Sequence, residues 1–170
     1  MSHDRGQVVL LAAVVVAVAL VPMAFAYAQL SYAPGDGARP AADVDGVRRA
    51  LSAAFTGAAT GIDGEYGWRN RTAAVDEVRA ELADDIGRVE RAATAGGRSL
   101  LVSHNVTEAE AWAAEHCPGG RGRAFGPCRA DGGVVVQQRG NDTAVVAAAF
   151  DLSVVSAAEQ TNATVVVRAV

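Results

Sequence analysis

The chain has 170 residues, which is the size of one ordinary domain. Its formal net charge of −4, from 15 basic and 19 acidic residues, gives no global attraction to nucleic acid, so no nucleic-acid partner is expected. All 15 basic residues are Arg, and the absence of Lys excludes Schiff-base and P-loop lysine chemistry. The composition therefore favours a protein that is not an enzyme.

The N-terminal region contains the longest apolar segment of the chain. Residues 8–28 are apolar at every position apart from the hydroxyl of Tyr27. A helix of this length rises about 32 Å, enough to cross a bilayer core of about 30 Å. The pattern predicts an apolar transmembrane helix over 7–30, a linker over 31–42 and an extracellular α+β domain over 43–170, in a single-pass protein of the cell membrane.

Three kinds of N-terminal signal fit this segment. A secretory signal peptide would be cut after Ala26 or Ala28, where small residues form cleavage sites. An uncleaved signal anchor would keep the helix in the membrane. The third kind is a short leader, residues 1–6, cut between Gly6 and Gln7, because residues 4–7 abut the apolar segment without a spacer.

The third arrangement resembles the class III signal peptide of archaeal type IV pilins and archaellins, which a prepilin peptidase cuts after the Gly. Residues 5–11 and 21–27, together with the closing stretches 127–137 and 165–170, resemble a haloarchaeal family of pilin-like proteins of unknown function. The resemblance implies a long N-terminal spine helix, a helical connector and a C-terminal antiparallel β-meander. Bacterial pilins carry a Glu where this chain has Leu11, and that Glu pairs with the amino terminus of a neighbouring subunit. Leu11 cannot form this ion pair, so assembly through it is not expected here.

The same resemblance implies a function and partners. It predicts a non-catalytic surface protein, a subunit or minor component of an archaeal pilus-like or pseudopilus assembly, processed by prepilin peptidase. Other pilin-like subunits would bind through the N-terminal helix, which the membrane holds before assembly into a surface filament. The alternative is an anchored or secreted extracellular glycoprotein that binds a ligand without forming a filament.

The middle of the chain shows helical periodicity. Apolar positions three and four residues apart predict a helix at 43–59 and a second at about 72–95, which Asn70 or Thr72 would cap and Gly96-Gly97 would end. A strand is expected at 99–106. Thr107 and Glu110 form a capping-box pattern that predicts a short helix to about 115.

The two cysteines bound a segment rich in Gly and Pro. Cys117 and Cys128 each have a Pro beside them, and an exported setting favours a disulfide between them. The alternative is a metal site that adds His104 and His116, but the spacing matches no tight zinc pattern. The sequence therefore predicts a disulfide and no metal site.

Three cations and an aromatic residue lie on or beside this segment: Arg121, Arg123, Phe125 and Arg129. They mark a candidate interaction loop for an anionic glycan, a partner subunit or DNA, although a plain charged and exposed loop is the favoured interpretation. In bacterial pilins a Cys-bounded segment near the C-terminus mediates adhesion and subunit contact, and residues 117–128 resemble it in kind.

The C-terminal third changes to a β pattern. Strands are expected at 134–138 and 143–150, with an extension to 156, a turn at 157–162 and a last strand at 164–170. The residues 139–142 form the turn between the first two strands.

All four Asn residues of the chain begin an Asn-x-Thr sequon: Asn70, Asn105, Asn141 and Asn162. Ser and Thr occupy about 9% of positions, so four sequons from four Asn would arise by chance about 6 times in 100,000. Asn and Thr also favour the same turns and caps, which weakens this figure without removing it. N-glycosylation of an exported domain is the prediction.

Catalytic patterns are not found in the sequence. Ser103-His104 lacks a nucleophile elbow, and the glycines at 119–126 neither follow a strand nor open a helix. No catalytic residue, cofactor site or metal site is therefore expected.

Overall fold

The computed structural model describes residues 40–120, 122–123 and 125–169. Within them the elements follow in the order α1 (Pro40–Gly61), α2 (Arg71–Ala95), β1 (Ser99–His104), α3 (Val106–His116), β2 (Phe125–Asp131), β3 (Val134–Arg139), β4 (Asp142–Val155) and β5 (Gln160–Arg168). One turn of 3-10 helix, Trp68–Asn70, precedes α2.

The two long helices begin and end at residues suited to those positions. Pro40 opens α1, where the fixed φ of proline suits the first helical turn. Helix α2 buries Val75, Val78 and Leu82, the apolar positions whose spacing predicted it. It ends where the Gly96 N–H donates to the carbonyls of preceding residues, so the predicted end at Gly96-Gly97 is confirmed.

Strand β4 is the centre of an antiparallel sheet. It pairs with β3 along 142–148, with β1 along 150–155 and with β5 along 147–155, and β2 pairs with the other edge of β3. The ends of β1 and β3 meet at Ala149, whose N–H donates to the Gly133 carbonyl and whose carbonyl accepts from the Asn105 N–H, each at 2.9 Å. Strands β1 and β3 thus share one side of β4, and β5 lies on the other.

Helices cover both faces of this sheet. Helices α1 and α2 pack on one face and form the larger core, whereas α3 packs on the other face around Trp112. Residues 134–137 and 143–150 are therefore buried without interruption. Strands covered on both faces carry continuous apolar runs, which explains why β3 and β4 show no alternation.

A β-bulge in β4 adjusts the sheet to α3. Val135 pairs with Ala147 but Val136 pairs with Val145, so Val146 is an extra residue on β4. The bulge places Val146 and Ala147, although consecutive, in the same core beneath α3.

The structure corrects the predicted fold class and location. Within the described residues there is no long apolar N-terminal helix. Residues 7–30, where that helix was expected, lie outside them. No helix in the described part is long and apolar enough to cross a membrane. Both long helices there are amphipathic surface helices with charged residues, such as Arg48 and Arg49 in α1. The expected pilin-like fold on a transmembrane spine is corrected to an α+β domain, and the single-pass membrane location is unsupported.

One strand is an addition to the predicted sheet. Strand β2 occupies 125–131, before the predicted start of the β region at 134. Its alternation is broken by Gly126 and Pro127, and its register with β3 shifts between Phe125 and Cys128. This irregularity conceals the strand in the sequence.

Candidate functional site

A disulfide joins Cys117 to Cys128, with their Cα atoms 5.7 Å apart. Cys117 follows the last residue of α3, and Cys128 lies inside β2. The bond therefore ties the end of a helix to an outer strand of the sheet. The predicted disulfide is present in the structure.

The side chain of Gln137 forms hydrogen bonds that attach the disulfide-closed segment, residues 117–128, to the sheet. Its side chain is fully buried, and its Nε2 donates to the carbonyls of Pro118 at 2.6 Å and Gly126 at 3.1 Å. The same nitrogen lies 3.4 Å from Cys117 Sγ. One buried amide thus anchors the segment near both of its ends.

Gly126 permits the close approach of the segment to β3. A Cβ at this position would lie 2.9 Å from Cβ of Gln138, closer than real side chains come. A glycine is therefore required where the segment enters β2.

Phe125 is flanked by two guanidinium groups. Arg123 lies 5.5 Å and Arg139 lies 4.8 Å from the ring centroid, both within the range of cation–π contacts. Arg139 is the direct partner of Phe125 across β2 and β3. We call Arg123, Phe125 and Arg139 the basic surface.

The other predicted members of this loop are placed differently. Arg129 is exposed on β2, opposite Val136. Arg121 lies outside the described residues. Within the described part, the ion pairs join Arg48 to Asp45 and Arg88 to Asp85, and the basic surface contains no ion pair.

The four sequons form two pairs in space. Asn70 and Asn141 line one cavity of about 500 Å³ at the start of β4, together with Trp68. The Trp68 N–H donates to the Asn141 carbonyl at 2.7 Å, which fixes this pair. Both Asn side chains are exposed.

The second pair converges on one carboxylate. Asn105 Nδ2 donates to Asp151 Oδ1 at 2.9 Å, and the Thr164 hydroxyl, which belongs to the Asn162 sequon, donates to the same oxygen at 2.6 Å. The hydrogen bonds from Thr164 and Asn105 lower the pKa of Asp151, because they stabilise its ionised form. Asn105 Oδ1 also accepts from the Glu108 N–H at 2.8 Å. Asn105 therefore caps α3, and the capping box predicted at Thr107 is wrong.

The two histidines considered as metal ligands lie in aromatic environments. His104 packs on Phe150 with ring centroids 4.9 Å apart, and His116 stacks on Trp112 at 5.8 Å. Burial, assisted by the charge of Arg79, lowers the pKa of His104 to about 4. Both cysteines form the disulfide, so neither is available to bind a metal. The described residues contain no group of three or more His, Cys, Asp or Glu that could hold a metal.

A family model matches residues 2–168, nearly the whole chain. The chain belongs to DUF7261, a family of unknown function. No curated protein and no solved structure matches the chain. Membership of DUF7261 confirms the resemblance to a family of unknown function; it carries no statement about pilins or about haloarchaea.

Two residues of this DUF7261 chain belong to the site although the sequence did not indicate them. Gln137 is a polar residue that ends the continuous apolar run of β3, and that contrast is the signal that could have marked it. Arg139 was assigned only to a turn, and its contact with Phe125 depends on a strand that the sequence concealed.

Proposed function

We propose that this DUF7261 chain is a non-catalytic, exported glycoprotein that acts by binding, as a pilin-like subunit of a surface assembly. The observation that carries the proposal is the disulfide-closed segment 117–128, which Gln137 anchors and which contributes Arg123 and Phe125 to the basic surface. Disulfides persist in oxidising compartments, which supports export. Four exposed or half-exposed sequon Asn residues support the same conclusion.

The basic surface suits a macromolecular partner better than a small substrate. Its guanidinium groups are exposed and not paired with carboxylates in the described part of the chain, so they remain available to an anionic or carbonyl-rich partner. Phe125 adds apolar contact area between the two cations. Aromatic residues and Arg are the types that most often dominate binding energy at protein interfaces.

The binding role is tested by the double variant Arg123→Gln, Arg139→Gln in cells that make the full chain. We expect several-fold less of the chain in the sheared surface fraction, measured by quantitative mass spectrometry. Stability should fall by about 1–2 kcal/mol or less, which is what two exposed cation–π contacts contribute to folding. The matched control is Arg48→Gln with Arg49→Gln, which removes exposed charges from α1. Unchanged incorporation of the double variant would contradict the binding role.

The pilin-like part of the proposal depends on processing by prepilin peptidase. Mass spectrometry of the mature N-terminus should find a chain that starts at Gln7. A chain that starts at Tyr27 or Gln29, or an intact Met1, would contradict processing at Gly6 and favour the secreted or unprocessed alternatives.

A further inference from the structure

The sheet face that α3 covers is open at its other end. Directly paired residues on neighbouring antiparallel strands share a face. Leu101, Ser153 and Asn162 therefore form one row across β1, β4 and β5, and Ser103, Asp151 and Thr164 form the next row. These residues line a groove of about 370 Å³. We call it the open groove.

The exposed large apolar side chains of the described residues gather at this place. Leu101 is 62% exposed and Val155 is 40% exposed, and the pairing places both on the face of the open groove. Val106, which is 47% exposed, follows Asn105, whose side chain donates to Asp151. Apolar groups left in water next to one another indicate a surface that something else covers.

We propose that an N-linked glycan on Asn162 lies along the open groove and covers Leu101. The inference rests on the proposed export and glycosylation of the chain. A bond forms between Asn162 Nδ2 and the anomeric carbon of an oligosaccharide carried on a lipid phosphate. The anomeric carbon–oxygen bond to that phosphate breaks, Nδ2 loses one proton, and the lipid phosphate leaves.

The geometry of the rows suits a sugar in this position. Neighbouring strands are about 4.8 Å apart, so Leu101 lies about 10 Å from Asn162, with Ser153 between them. Two sugar rings span that distance. Their apolar faces can contact Leu101, while their hydroxyls reach Ser103, Ser153 and the free oxygen of Asp151.

The groove offers the hydrogen-bonding groups that a carbohydrate requires. Asp151 Oδ1 accepts hydrogen bonds from Asn105 and Thr164. The other carboxylate oxygen, Oδ2, has no hydrogen-bond partner among the described residues. Asp151 is exposed and its pKa is lowered by these hydrogen bonds, so it is an ionised acceptor near neutral pH. A mixed surface of hydroxyls, one carboxylate and one Leu matches a sugar more closely than a purely apolar partner.

The test compares three full-length proteins from one N-glycosylating exporting host: the unchanged chain, Asn162→Gln, and Asn70→Gln. Asn70 lies at the other end of β4, beside Asn141, so its variant removes a glycan distant from the open groove. Hydroxyl-radical labelling followed by mass spectrometry measures the exposure of the Leu101 side chain. We expect weak labelling in the unchanged chain and in Asn70→Gln, and several-fold stronger labelling in Asn162→Gln.

Glycopeptide mass spectrometry of the same samples separates the two levels of the proposal. A bare Asn162 with glycans at other sequons would overturn this inference and leave the proposed function standing. Bare Asn at all four sequons would overturn both. Equal labelling of Leu101 in the unchanged chain and in Asn162→Gln, with a glycan on Asn162 in the former, would overturn the inference alone.

Discussion

Gln137 shows how one buried amide can organise a surface segment. Two backbone carbonyls of that segment, those of Pro118 and Gly126, accept hydrogen bonds from its side chain. An apolar residue of similar size would leave both half-buried carbonyls without this donor. Leaving a buried polar group unsatisfied costs about 1–3 kcal/mol.

We expect Gln137→Leu to lower the free energy of unfolding by about 1–2 kcal/mol, since two half-buried carbonyls lose their donor while a buried amide oxygen without a partner is removed. Chemical denaturation under oxidising conditions measures the change. Gln138→Leu is the matched control, because that neighbour donates only to the exposed carbonyl of Gly140 and should cost well under half as much. Equal losses in the two variants would contradict an anchoring role for Gln137.

His104 makes stability depend on pH. Its pKa in the folded chain is about 4, below the ordinary 6.5, so the unfolded chain binds more protons between these values. The contribution of the neutral ring is fully present above pH 6.5 and is lost as pH falls toward 4. Because the ring is partly exposed, we expect a loss of about 1–2 kcal/mol.

Denaturation midpoints at several pH values between 6.5 and 4 check this expectation. His104→Gln should flatten the dependence in this window, whereas His116→Gln should keep it. A slope that survives in His104→Gln would assign the effect to other groups.

At the scale of secondary-structure elements, the start of α3 shows which of two residues caps this helix. The capping-box pattern indicated Thr107, but the residue that accepts the Glu108 N–H is Asn105. We expect Asn105→Ala to cost about 1–2 kcal/mol, because it removes both this cap and the hydrogen bond to Asp151. Thr107→Ala, measured by the same thermal or chemical denaturation, should cost at most about 0.5 kcal/mol. The reverse order would restore the capping box.

The elements that could be predicted are those whose apolar residues recur at a regular helical spacing or form one uninterrupted run. Helix α2 follows from the spacing of Val75, Val78 and Leu82, and β3 and β4 follow from long β-branched and apolar runs. Strand β2 could not be predicted, because a Gly-Pro pair and a register shift hide its alternation. The disulfide was predictable from two cysteines in a Gly- and Pro-rich segment, but the Arg139–Phe125 contact was not, since it needs the pairing of β2 with β3.

At the scale of the domain, two cores share the same two strands. Val134 and Val136 belong to the core under α1 and α2, whereas Val135 between them belongs to the core under α3. Strands β3 and β4 contribute residues to both cores, so separating these strands from one core also exposes apolar residues of the other. The described domain should therefore unfold in one cooperative transition.

The two tryptophans of the chain allow a direct check, since Trp68 packs against the larger core and Trp112 lies in the smaller one. We expect Trp68→Phe and Trp112→Phe each to give a fluorescence midpoint equal to the far-ultraviolet circular dichroism midpoint of the same variant. A fluorescence midpoint that precedes the dichroism midpoint in either variant would show that one core opens first.

The position of the central strand β4 in the chain determines when the sheet can form during synthesis. Strands β1, β3 and β5 all pair with it, yet it begins at Asp142, after most of the chain has been made. At about 5–20 residues per second, Asp142 follows Asn70 by roughly 4–14 s. During that interval the early sequons precede any completed sheet and remain open to a modifying enzyme. The sequon at Asn141 has a much shorter interval, because its Thr143 becomes buried as soon as β4 pairs. Occupancy should therefore decline from Asn70 to Asn141 when export accompanies synthesis.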